Sequence, residues 1–248
     1  MECFSYIHYR VWLSGLSLLS LVSGQAKTYF KEMIMKTSKM YYPVLTNLTE
    51  CVAPLEAMLT EDERVSGIAF KGEVFSQIRK EYVTISNTKF TNCTFSECRF
   101  TGMQLTDVGF ENCDLANIDF LKSIHYRTEF INCKLLGANF PEAALNYVSM
   151  RNCNCRYINF SFTKMRTVLF TGCDFQNGIF SDCKVPVFTF DTCNLIETEF
   201  SHTSLKGIDL TESQIAGIRV GVTDLRGAVV TSLQALELSR LLGIVIKD

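Results

Sequence analysis

The sequence predicts an all-β fold in which the chain winds as a square solenoid, closed at its C-terminal end by a helix. Three observations predict it. From Phe90 to Val230 an apolar residue returns at every fifth position, 28 times in 29, with His125 as the exception. Only 47% of the chain is apolar, so chance does not produce that column. A second column lies two residues earlier and is small or β-branched, as in Thr88, Cys93, Cys98, Val108 and Cys113. Both columns also repeat at twenty. Phe100, Phe120, Phe140, Phe160, Phe180 and Phe200 align, as do Cys93, Cys113, Cys133, Cys153, Cys173 and Cys193.

Five is the period of neither a helix nor a strand. Two inward residues, two apart, within every five fit a short extended segment followed by a corner. Four such segments turning the same way close a coil of twenty residues, and coils stack at the strand spacing of ~4.8 Å, so seven coils make a rod of roughly 34 Å. A single coil cannot bury its own inner face, and stacking supplies the core. The corners carry their own chemistry. Asn92, Asn112, Asn132, Asn152 and Gly172 precede the cysteines, and Asn and Gly tolerate the left-handed backbone of a type II turn.

Taken in order, residues 1–40 form an extension. Arg10 precedes an apolar run, Val11 to Val22, and then the small residues Ser23 to Ala26. This is the layout of a secretory signal, too short for a membrane span, or of a non-native start with Met33, Met35 and Met40 as internal initiators. Residues 41–66 read as a polar lead-in with a short helix, and 67–230 as the coils. The first coil is expected to be irregular because Lys80 falls on an inward position. At His125 the expectation is a local bulge that turns Ile124 inward instead. In residues 231–248, Ser232 caps a helix running to Leu242, Gly243 ends it, and Ile244 to Ile246 add a strand. Leu233, Leu236, Leu238, Leu241, Leu242, Ile244 and Ile246 give this tail more apolar surface than one cap uses, which predicts a dimer interface.

Catalytic and metal chemistry find little support. The eleven cysteines include no C-x-x-C pair, and His8, His125 and His202 lack ligand spacing. Thiols stacked in a line at coil spacing do not converge on one point as tetrahedral zinc demands, so the cysteines are read as core packing. No Gly-rich phosphate loop, nucleophile elbow or zinc-protease helix occurs. The expectation is a protein that is no enzyme and holds no cofactor or metal. A formal net charge of −2 excludes a generally basic nucleic-acid binder.

The segments Cys113 to Asn117, Gly137 to Phe140, Cys173 to Phe175 and Gly207 to Leu210 resemble the A(D/N)LXX motif of the pentapeptide-repeat family. That resemblance covers about Gly67 to Asp248 and implies a right-handed quadrilateral β-helix. Asp224 to Ala228, followed by Gln234 to Ile246, resembles the C-terminal helix and strand of the Qnr-type quinolone-resistance group and its Gram-positive relatives. The resemblance implies a cytoplasmic, non-catalytic homodimer joined tail to tail. Such a dimer mimics B-form DNA, binds DNA gyrase or topoisomerase IV as a protein partner, and protects it from quinolones, with no direct nucleic-acid or membrane binding. Coil-breaking loops found in some members have no counterpart in this register. The alternative is a generic interaction scaffold, or a secreted solenoid if residues 1–26 act as a signal.

The charge pattern bears on mimicry. Between Thr167 and Asp224 lie eight acids, Asp174, Asp182, Asp191, Glu197, Glu199, Asp209, Glu212 and Asp224, against three bases. Between Ser66 and Arg166 the count is nine acids against twelve bases. All eight acids fall on outward positions, and they are the candidate partner-binding residues. Their density is far below the one charge per ~1.7 Å of duplex DNA, and an ordinary solvated face is the competing explanation.

Overall fold

The structure, a computed structural model, describes residues 39–51, 55–61 and 64–245. The chain divides into two units, Met1–Met40 and Tyr41–Asp248, and the expected signal-like segment in the first lies outside the described residues. The second unit is a parallel β-solenoid. It begins with β1 (Thr49–Glu50), α1 (Leu55–Glu61), β2 (Arg64–Ser66), β3 (Ile68–Lys71), β4 (Val74–Ser76) and β5 (Arg79–Glu81). Then come β6 (Thr84–Thr91), β7 (Thr94–Ser96), β8 (Arg99–Thr101), β9 (Gln104–Glu111), β10 (Ile124–Ile131), β11 (Ala144–Arg151), β12 (Lys164–Thr171) and β13 (Lys184–Asp191). The chain ends in α2 (Ser232–Leu238) and a 3₁₀ turn, Ser239–Leu242.

From β2 to β13 the pairings join residues twenty apart, as in Phe90↔Phe110 and Phe130↔Met150, except for a one-residue slip at Arg166↔Val187; β1 pairs β3 at nineteen, and every pairing is parallel. Four faces follow, named here by their first occurrence: first, 83–87; second, 88–92; third, 93–97; fourth, 98–102. The eight-residue strands cover the first two faces and bend between them at a left-handed residue, Asn87, Asp107, Arg127, Tyr147 or Thr167. The third and fourth faces begin as short strand pairs, β4 with β7 and β5 with β8, and are tied in later coils by single bridges such as Asp114↔Lys134 and Asp119↔Asn139. Left-handed φ recurs at the other corners too, including Asn92, Asn112, Asn132 and Asn152 at 52–54°.

The interior is a set of ring columns. Phe120, Phe140, Phe160, Phe180 and Phe200 succeed one another at 5.0, 5.1, 5.1 and 5.2 Å between ring centroids. Phe70, Phe90, Phe110 and Phe130 stack nearly parallel at 5.0, 4.9 and 4.9 Å. The cysteines fill the inward position beside them and do more than occupy space. The Cys113, Cys133 and Cys153 thiols each lie 3.5 Å from the carbonyl of a phenylalanine one coil below (Phe90, Phe110 and Phe130). Thr163 and Thr198 donate in the same way to Phe140 and Phe175, at 2.7 and 2.9 Å. Cys and Thr are thus interchangeable solutions to one demand, a small side chain with a donor. Burial pushes the Cys183 and Cys193 thiols up to about 12 and about 11, so both stay protonated and unreactive at neutral pH.

His125 departs from expectation. No bulge forms: β10 runs in register with both neighbours, His125 opposite Leu105 and Leu145. Ile124 points out, 47% exposed, and His125 is fully buried. Skipping a residue would break ladder hydrogen bonds on two sides, which costs more than burying a neutral imidazole. The ring sits between Phe120 and Phe140, at 5.4 and 5.5 Å. Its Nε2 meets the Ser123 hydroxyl at 2.9 Å, and Nδ1 is buried without a partner. Burial alone pulls its pKa down to about 3.

The first coil is also more regular than expected. Lys80 pairs directly opposite Phe100 and is half-buried; an aliphatic stem can cover a ring while its ammonium reaches water. The lead-in contributes Leu55 and Leu59 of α1 to the core. Upstream of β1 it forms a strap along the corner between the first and second faces. Tyr41 packs edge-on against Tyr147 at 4.9 Å, and the Val44 and Thr46 amides donate to Asp107 and Asn87. Gly109 lies under the strap, where an added Cβ would sit 3.5 Å from Leu45.

At the far end the helix N-cap is Thr231, one residue before the expected Ser232, and a capping box joins it to Gln234. α2 is shorter than expected, with the 3₁₀ turn taking over before the left-handed Gly243. Ile244 and Val245 form no strand, and Ile246 lies outside the described residues. The Gln234 amide donates to the Leu210 and Ser213 carbonyls, both at 2.8 Å, and so closes part of the open coil edge. Replacing it by Leu (Gln234→Leu) is expected to cost about 1–3 kcal/mol, because two carbonyls lose their donor. Urea titration against the parent checks this; an unchanged midpoint would show that water serves as well. Among the described residues no helix is long and apolar enough to cross a membrane.

Candidate interaction surface

The described residues hold no cluster of His, Cys, Asp or Glu fit to bind a metal, so the surface is where function is sought. The eight acids of the C-terminal coils do not share one face. Asp191, Asp209 and Glu212 lie on the second face, Asp174 and Glu197 on the third, Asp182 and Glu199 on the fourth, and Asp224 on the first. Seven acids therefore wrap three consecutive faces from Thr167 to Asp224, with Arg219 as the one base there. Sequence reasoning placed them outward but could not see that they surround the rod.

Several acids are engaged locally. The Ser181 hydroxyl, 3.0 Å from the Glu199 carboxylate, does most to hold that group below the usual range. Burial works against it, and Ser201 and Arg219 assist. Asp182 approaches His202 at 3.4 Å. Asp174 accepts from the Asn194 amide at 2.9 Å, and Asp209 accepts from the Thr211 hydroxyl at 2.7 Å. Glu197 and Glu212 are exposed or nearly so at corners.

Earlier coils treat charge differently, pairing opposite signs from coil to coil. Lys89–Glu111, Arg99–Asp119, Lys134–Asp114 and Arg151–Glu129 meet at 2.7, 2.9, 2.9 and 2.8 Å. Asp107 is raised by burial, yet the Arg127 guanidinium and the Val44 amide outweigh this and bring it below its usual value.

The first face of the last coils is the opposite of the other three. It carries Lys164, Arg166, Lys184, Lys206 and Arg226, all exposed. Among the described residues none of the five makes an ion pair. Asp224, half-buried, is the single acid among them. Lys164 and Lys184 are direct strand partners, and Lys206 lies over the coil of Gly227, whose added Cβ would be 3.2 Å from its stem. Sequence reasoning missed this strip because counts along the chain mix faces. Its signal was available: 164 and 184, like 166, 206 and 226, differ by multiples of twenty.

The tail exposes Leu233 (80%), Leu236, Leu241, Leu242 and Ile244. Leu238 is half-buried and packs in part on the chain's own core.

Two sequence profiles match the coils end to end, "Pentapeptide repeats (8 copies)" over residues 85–120 and "Pentapeptide repeat region" over 122–190. The coils over residues 85–190 are pentapeptide repeats. The five-residue period continues through Val230, beyond both matched ranges. Among solved structures this chain is similar to a trypsin-treated form of QnrB1, a plasmid-mediated fluoroquinolone resistance protein. That match has 25% identity, a TM-score of 0.49, and covers 75% of this chain and 94% of that one. Full-length QnrB1 matches at 19% identity and a TM-score of 0.48, covering 71% and 100%. HetL, a pentapeptide-repeat protein involved in heterocyst differentiation regulation in the cyanobacterium Nostoc sp. strain PCC 7120, matches at 11% identity and 0.30, covering 67% and 86%. No curated protein sequence matches the chain.

Proposed function

We propose that this protein is a non-catalytic, DNA-mimicking binder of DNA gyrase or topoisomerase IV that protects the enzyme from quinolones. The observation that carries the reading is the wrap of seven acids around three faces of the C-terminal coils, relieved only by Arg219. A rod that is anionic on most of its girth offers a cationic groove what a duplex offers, at lower density. The tail supports a homodimer: Leu233, Leu236, Leu241, Leu242 and Ile244 leave apolar surface uncovered, and joining two tails sets the two anionic segments side by side at the centre. The resemblance of the tail to the Qnr-type group points the same way, and a cytoplasmic site follows from that target.

The test is a gyrase supercoiling assay with and without quinolone. Purified protein at micromolar concentration is expected to alter supercoiling or to raise the quinolone concentration needed for inhibition. The variant Glu197→Lys/Glu199→Lys/Asp209→Lys/Glu212→Lys should lose at least tenfold in potency, with its circular dichroism unchanged because all four side chains point outward. An effect that survives the four reversals would leave the scaffold reading in its place.

A further inference from the structure

We propose that the first face of the C-terminal coils is a separate binding surface, a strip that holds the phosphodiester backbone of a nucleic acid. It stands independently of the topoisomerase reading. The net charge of −2 argues against nucleic-acid binding only if charges are mixed over the surface, and the solenoid sorts them by face. Lys164, Arg166, Lys184, Lys206 and Arg226 come from four successive coils, which spans ~14 Å along the rod at the strand spacing. Their lack of acidic partners contrasts with the earlier coils, where Lys89, Arg99, Lys134 and Arg151 are each matched.

The spacing chooses the partner. Five cations over that length is one per ~3 Å along the rod. An acidic peptide laid along the strip in extended form presents a carboxylate to it only every second residue, ~6.8 Å. One strand of a duplex carries a charge every ~3.4 Å of axis, close to the strip's spacing, where a peptide's carboxylates fall short. Arg166 and Arg226 add planar guanidinium forks suited to two-point contact with phosphate oxygens. The strip's neighbours Ser204, Gly207 and Gly227 are small, so a backbone can approach closely. Contacts of this kind, to phosphate alone, carry no sequence information.

The experiment is fluorescence anisotropy of a labelled 20-base-pair duplex titrated with the full chain across 50 to 200 mM salt. Neutralising one phosphate contributes a slope of about −0.9 in log K against log salt, so five contacts predict about −4.5 and a several-hundred-fold loss over that range. Lys164→Gln/Arg166→Gln/Lys184→Gln should shift the slope by about 2.7 units toward zero. The charge-matched control Lys89→Gln/Lys122→Gln/Lys134→Gln, on other faces, should leave it unchanged. All six side chains are outward, and circular dichroism confirms that each variant is folded. Absence of binding at 50 mM salt overturns the proposal, as does an equal loss in both triple variants. Poly-glutamate competing as well as duplex at equal charge would assign the strip to an acidic protein and overturn it too.

Discussion

Replacing His125 by Leu (His125→Leu) is expected to remove the loss of about 3 kcal/mol that this imidazole imposes on the parent between pH 6.5 and 4, leaving only the smaller acid loss from the depressed Glu199 and Asp107 carboxyls. The sign follows from the proton count. The imidazole is neutral in the folded state down to about 3, against an ordinary value of 6.5. Below 6.5 the unfolded chain takes up a proton that the folded chain refuses, so stability falls as pH falls and is whole only above that value. Each pH unit in the window is worth at most about 1.4 kcal/mol. At pH 7 the change should be neutral or stabilising by about 1 kcal/mol, because it removes the partnerless Nδ1. Ser123 would lose its contact, but its hydroxyl occupies the inward position from which Thr163 serves the Phe140 carbonyl. Urea unfolding at pH 7 and pH 4 decides the matter. Equal pH slopes in parent and variant would mean that another group governs the acid limb.

The second large effect is expected at Phe140. Its ring is fully buried and touches Phe120, Phe160 and His125 at 5.0, 5.1 and 5.5 Å. Phe140→Ala should cost about 3–5 kcal/mol, since a mid-stack cavity has coils on both sides that are held apart by their own ladders. Phe100→Ala should cost less. Its neighbour above stands at 6.2 Å, and Lys80 lies opposite it below, a flexible chain that can move into the gap. Because a repeat contacts only its neighbours, the loss should be local. Amide hydrogen exchange should accelerate in the coils flanking Phe140 and stay slow near Phe70. Uniform acceleration would show instead that the rod unfolds as one unit.

The coils were legible because the interior imposes one rule on every fifth residue, and the corners reinforce it with Asn and Gly at a fixed offset. His125 defeated the reading since polarity at a single position argued against burial, whereas the backbone ladder on either side decided it. The strap from Tyr41 to Thr46 was hidden for another reason. Its contacts run to Asn87, Asp107 and Tyr147, one corner column of the coils, but the strap residues themselves carry no period, and local composition reads only as polar lead-in. The surface was half legible. Outward placement of Glu197 or Asp209 follows from phase within five, but the face follows from phase within twenty, and net charge discards both. Leu238 shows the limit at the tail, where one leucine of a continuous apolar run packs in part on the core and its neighbours belong to the surface.

A register of twenty residues, slipped by one at β1 and at Val187, makes the molecule a ruler with one graduation, about 4.8 Å. A change of five residues keeps the corners in phase, but only a change by whole coils also keeps every residue on its face. Lys122 and Glu142 occupy the same left-handed corner one coil apart, with φ of 58° and 56°. Excising residues 123–142 would therefore splice like onto like, shorten the rod by one graduation and remove His125 with its serine. Removal of nineteen or twenty-one residues would turn every downstream ring toward solvent. Gene duplication and deletion thus act on this protein as a vernier, moving the charged coils along the axis in equal steps while leaving the inner wall unaltered.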